Sequence, residues 1–220
     1  MTFEHFIHLM HDVAYVSIAL LAAYAIYLAI LVTRQIRRRK FRNEDQATEF
    51  TTQISEMIRR GDFEGADEAC TAPENWYKAV AFLAQGAIEK RNQGISKVKQ
   101  NIATRFSRDI LANLELVVSN MNMVIKVAPM MGLFGTVVGM IGAFSRIASM
   151  DNPNPKDLMG DMSIALNCTA MGLAVCIPML LVTNFYQNRI RKFEDNTFEH
   201  IQTVVEDIEG HIKSGHTAKA

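Results

Sequence analysis

Charged and apolar positions are sharply segregated along this chain. Three runs contain no Asp, Glu, Lys or Arg: Val13 to Thr33, Val127 to Ser145 and Met162 to Asn188, of 21, 19 and 27 residues. A helix of about 20 residues crosses the roughly 30 Å hydrocarbon core of a bilayer. The pattern therefore predicts an all-α polytopic membrane protein with three transmembrane helices. In the second run Ala128, Gly132, Gly135, Gly139 and Gly142 recur at spacings of 4, 3, 4 and 3, which places them on one helix face. A glycine costs a helix about 1 kcal/mol relative to alanine, so such a stripe marks a backbone that another helix approaches closely. In the third run Ala165, Thr169, Gly172 and Cys176 form a similar face. Ser163, Asn167, Ala170 and Ala174 form an adjacent one that is polar at one end. Pro129 and Pro178 each remove a backbone donor and are expected to bend their helices.

The segments between the runs set the topology. Six basic residues (Arg34, Arg37, Arg38, Arg39, Lys40 and Arg42) follow the first run directly. Their excess assigns that end to the cytoplasm and the N-terminus to the outside. Beside a membrane span, such a cluster reads as an orientation signal and not as a nucleic-acid site. Arg189, Arg191 and Lys192 put the end of the third run inside as well. The expected order is an external amphipathic N-terminus (1–12), a first span (13–33) and a cytoplasmic helical segment (34–118). A second span region (119–149), a short periplasmic loop (150–160), a third span (161–188) and a cytoplasmic C-terminal helix and tail (189–220) follow.

Within the cytoplasmic segment, Asn43 is expected to cap one helix, Gly61 to end it and Asp62 to cap the next. A third helix carries Trp76, Val80, Leu83, Ala84, Ala87 and Ile88 at helical spacing. No glycine or proline occurs from Ser96 to Ala128, which predicts one helix running into the second span. The second and third helices thus extend into the cytoplasm. The apolar face of the former (Ile102, Phe106, Ile110, Leu114, Val117) needs helical neighbours from this chain or from other subunits.

Composition adds mainly exclusions. The formal net charge of zero and mean hydropathy of +0.05 average over the segregation and carry little information. Cys168 and Cys176 read as small buried hydrophobes, and Cys70 lies in a charged segment. His5, His8 and His11 lie near one face of the amphipathic N-terminus, where an interfacial helix is favoured over a metal site. No cofactor, metal or catalytic motif is visible, which argues against an enzyme. Thr136 and Thr169 place a hydroxyl near the middle of the second and third spans, suited to a hydrated ion path. No span holds a central carboxylate, so a proton relay would require an ionisable group from a partner.

The stretch VAPMMGLFGTVVGMIGAF, followed by IALNCTAMGLAVCIPMLLVTNFYQNRI, resembles the MotA/TolQ/ExbB proton-channel family over about residues 105 to 195. Three spans and the chain's size fit its ExbB/TolQ-like branch. The resemblance implies a homo-oligomeric helical ring in the bacterial inner membrane, five copies in this family. The ring would surround an ExbD/TolR-like single-span protein whose membrane aspartate carries the proton, with a TonB- or TolA-like protein as a further partner. Ion flow would drive mechanical work across the periplasm. Thr136 and Thr169 match the family's span threonines, with Ser163 and Asn167 beside the path. The family glutamate five positions before the third-span threonine is replaced by Ile164, which leaves protons and sodium both open. A non-conducting membrane scaffold is the alternative reading.

Overall fold

The computed structural model describes residues 3–41, 44–148 and 155–217. Seven α-helices account for nearly all of them: α1 (Phe3–Arg39), α2 (Glu44–Arg59), α3 (Phe63–Thr71), α4 (Ala79–Glu89), α5 (Ile95–Arg105), α6 (Ala112–Ala148) and α7 (Pro155–Thr217). A 3-10 turn (Arg91–Gln93) precedes α5 and a π-helical segment (Phe106–Leu111) joins α5 to α6. Three helical runs are long and apolar enough to cross a membrane. The chain separates into two compact units: Met1–Leu31 with Val117–Tyr186, and Val32–Leu116 with Gln187–Ala220.

The first unit is a bundle of three apolar segments. Only 22–28% of each span's most apolar window is buried within the chain. Leu20, Ile26, Leu133, Phe144, Leu166, Ile177 and Leu181 are all at least half exposed. So much apolar surface requires lipid or further protein around it.

The second unit has a conventional core. α4 buries Ala79, Val80, Ala81, Leu83, Ala84, Gly86, Ala87 and Ile88, as a helix surrounded by others should. α2 contributes Phe50, Ile54 and Ile58, and the C-terminal part of α7 contributes Phe193, Ile201, Val204 and Ile208. Phe106 is fully buried, with its ring centroid 4.9 Å from that of Phe198. An ion pair of 2.8 Å between Arg59 and Asp207 ties α2 to α7 and favours the charged guanidinium. Phe106→Ala should lower unfolding stability by about 3–5 kcal/mol. Phe198→Ala, at a 38% exposed position, should lower it less, as thermal unfolding of the two variants will show.

Local signals explain the short helices. Asp62 caps α3, its Oδ1 accepting from the Gly65 amide at 2.9 Å. Gly61 takes φ +81°, the left-handed conformation that ends α2 without Cβ strain. Burial pushes the Cys70 thiol on α3 up to about 12. An unfolded thiol titrates near about 8.5. The folded state therefore holds its proton longer, and the stability this gives is complete below that value and lost as pH rises towards 12. Cys70 should resist iodoacetamide at pH 9 in the native protein and react readily once denatured.

The structure refines four expectations, and it corrects the placement of Trp76 and the start of the third helix. Residues 3–12 form the first turns of α1; the histidine side chains lie outside the described residues, as does Asn43. Trp76 lies before α4, in a turn where the Asn75 side chain donates to the Ala69 carbonyl at 3.1 Å. The expected helix running into the second span is continuous from Ile95 to Ala148, and it contains the π segment, shown by the Ala112 amide bonding to Ser107 O. As expected, the third helix continues well past its apolar run, as one 63-residue helix, but it starts at Pro155, inside the expected loop. No glycine or proline between Arg189 and Phe193 breaks it, and proline is well suited to a first helical turn.

Candidate functional site

The site forms where α6 and α7 meet in the first unit, and glycine makes the meeting possible. A Cβ on Gly132 would stand 3.0 Å from both the Cys168 carbonyl oxygen and the Thr169 Cα. A Cβ on Gly172 would stand 2.6 Å from the Ala128 carbonyl oxygen. The opposing atoms are backbone, so a side chain at either position would force the helices apart. Gly135 instead faces a side chain, that of Cys168, and also approaches Ala14 of α1. Ala14, Ile18 and Cys168 form a buried cluster, flanked by Tyr15, Met131 and Val175. The Tyr15 hydroxyl donates to the Ile164 carbonyl at 3.0 Å, and the Cys176 thiol to the Ile125 carbonyl at 3.2 Å.

This close approach brings two hydroxyls together. Thr169 Oγ1 donates across the interface to Gly132 O at 3.0 Å. Thr136 Oγ1 donates to Leu133 O, one turn back on its own helix, at 2.6 Å. The two oxygens are 3.4 Å apart. A threonine hydroxyl has one proton and two lone pairs. With both protons directed to carbonyls, the pair presents adjacent acceptors that a water, a protonated carboxyl or a cation can satisfy. Thr136 is buried and Thr169 half-buried.

The other residues expected on an ion path are placed differently. Ser163 and Asn167 are exposed on α7, on a face continued by exposed Ala170 and Ala174, and neither belongs to the threonine contact. Ile164 is 52% exposed, while its carbonyl holds Tyr15. Gly139 and Gly142 are half-buried on α6. Pro129 and Pro178 lie inside α6 and α7, which continue through them. Among the described residues no cluster of His, Cys, Asp and Glu forms a metal site. Sequence reasoning did not foresee the contacts made by Cys168 and Tyr15. Cys168 lies one position before Thr169, and that adjacency was the available signal.

Comparison with known proteins agrees with this architecture. The model of the MotA/TolQ/ExbB proton channel family matches residues 78–199, more than half of the chain. The biopolymer transport protein ExbB of Aquifex aeolicus is 38% identical over 65 residues, covering 30% of this chain and 44% of that protein. An ExbB homolog of Methanothermobacter thermautotrophicus is 25% identical over 171 residues, covering 78% and 59%. ExbB of Xanthomonas campestris is 30% identical over 119 residues, covering 52% and 45%. The chain thus spans about half the length of the curated relatives it matches. Together, the family match and the three apolar helices identify the chain as a member of the MotA/TolQ/ExbB proton channel family.

Proposed function

We propose that this protein is the ion-path subunit of an inner-membrane motor of the ExbB/TolQ type, driven by the proton-motive force. The observation that carries the reading is the Thr136–Thr169 contact, two hydroxyls 3.4 Å apart with their protons directed to carbonyls. Such a pair accepts a hydrogen bond without fixed charge, so it can solvate a proton carrier without trapping it. The carrier itself must come from elsewhere, because the three runs contain no carboxylate and Ile164 supplies none. The membrane aspartate of a single-span, ExbD/TolR-like protein fits this requirement. The exposed apolar faces of the first unit are the expected contacts with lipid and with further copies, five in a ring. A TonB- or TolA-like protein would transmit the work across the periplasm.

A sodium-driven version is favoured by one observation, the exposed neutral oxygens of Ser163 and Asn167. Purification in mild detergent from the native host, followed by native mass and composition analysis, tests the main reading. A ring of copies enclosing a small aspartate-bearing protein is expected. A ring without such a partner, even after gentle crosslinking, would favour a scaffold.

A further inference from the structure

We propose that a cleft in the second unit, between the end of α1, the turn before α4 and the start of α6, seats an anionic phospholipid headgroup, with Trp76 and Tyr77 lying in the bilayer interface beside it. The cleft holds about 300 Å³. Arg38 and Arg39 line it together with Gln35, Asn113 and Tyr77, and no carboxylate does. Among the described residues no ion pair involves Arg38 or Arg39, since the nearby Glu44 pairs with Lys40 at 3.7 Å. Two unpaired guanidiniums beside amides and a phenol are suited to a phosphate, which guanidinium can bind through paired hydrogen bonds. Gln35 Oε1 is buried without a partner, so the wall also has an acceptor that a headgroup hydroxyl can satisfy.

Depth supports a lipid source over free phosphate. Arg38 and Arg39 follow Thr33, the last residue of the first apolar run, by five and six positions, about 8–9 Å along a helix. A bilayer about 30 Å thick in its core and 40–45 Å overall has a headgroup layer about 5–8 Å deep on each side, so these backbone positions stand at its outer edge and their long side chains can reach it. The turn before α4 is held beside this helix end. Lys78 Nζ donates to the Lys40 carbonyl at 2.9 Å and lies over the Phe41 ring. On that turn Trp76 and Tyr77 are half exposed, with ring centroids 3.8 Å apart. Exposed tryptophan and tyrosine beside basic residues at this level are the usual components of an interfacial anchor.

Trp76 is the chain's single tryptophan, so the fluorescence lost in a Trp76→Phe complex reports on this turn alone, whatever tryptophans the partners carry. The purified protein, with its native partners, is reconstituted into vesicles of phosphatidylglycerol and phosphatidylethanolamine, or of phosphatidylcholine. Nitroxides are placed on the headgroup or deep in the acyl chain. Headgroup nitroxide should quench Trp76 strongly, and aqueous iodide weakly. Native mass spectrometry should find phosphatidylglycerol retained by the wild type and about tenfold less by Arg38→Gln/Arg39→Gln. A charge-matched Arg60→Gln/Lys97→Gln control should retain it. Inorganic phosphate should not displace the lipid. Iodide quenching without lipid quenching would overturn the proposal. So would protection from both quenchers, which would mean that another protein surface covers the turn. Equal lipid retention by the two double variants, or displacement by phosphate, would also overturn it.

Discussion

Thr136→Val/Thr169→Val should assemble at wild-type mass yet lose at least about tenfold of its ion-coupled activity, the scale of leaving a buried donor without acceptors. Valine retains the branched shape, so the α6–α7 packing survives. Gly132 O and Leu133 O lose a side-chain donor but, as interior helix carbonyls, keep their backbone partners. The stability change should therefore be small, about 1 kcal/mol for each hydrogen bond removed. What disappears is the pair of adjacent acceptors 3.4 Å apart. Complementation of a deletion strain, with complex mass measured in parallel, separates the two effects. Wild-type complementation by the double variant would remove the threonines from the ion path.

The second large effect is expected at Gly172. Gly172→Leu places a side chain where even a Cβ would be 2.6 Å from the Ala128 carbonyl oxygen. Because the obstacle is backbone, rotamer changes cannot relieve it. The overpacking should exceed the usual 1–3 kcal/mol for an enlarged core residue and prevent the helices from closing. Loss of the native-mass complex is the predicted readout. Gly210→Leu is the matched comparison, since nothing lies within 4 Å of a Cβ there, and it should assemble normally. An intact Gly172→Leu complex would contradict the close approach.

The membrane spans were legible because lipid tolerates no ordinary charged surface, so each shows as a charge-free run. The glycine and threonine positions were legible from spacing on a helix of known period. Less was visible where several local geometries share one spacing. Ile102, Phe106, Ile110 and Leu114 are all buried at strict intervals of four. In an α-helix each such step drifts by about 40°, leaving the last about 120° from the first. The wider π turn at Phe106–Leu111 absorbs much of this drift. The repeat itself is the signal, although over a short stretch it also fits an ordinary apolar face. Trp76 shows the converse: its interval of four to Val80 imitates a helix face, but Asn75 bonds back to Ala69 and holds a turn there. Side-chain contacts such as Tyr15 with the Ile164 carbonyl depend on how three helices cross, which spacing along one chain does not encode.

On this reading the chain supplies an ion path that works only with an acid from a partner. Proton flux into vesicles, measured with a pH-sensitive dye, tests it most directly. Vesicles would contain this chain alone, this chain with its aspartate-bearing partner, or this chain with the partner's membrane aspartate changed to asparagine. Flux only in the complex with the intact aspartate is the predicted result. Equal flux from this chain alone would make it a self-contained channel that needs no partner acid.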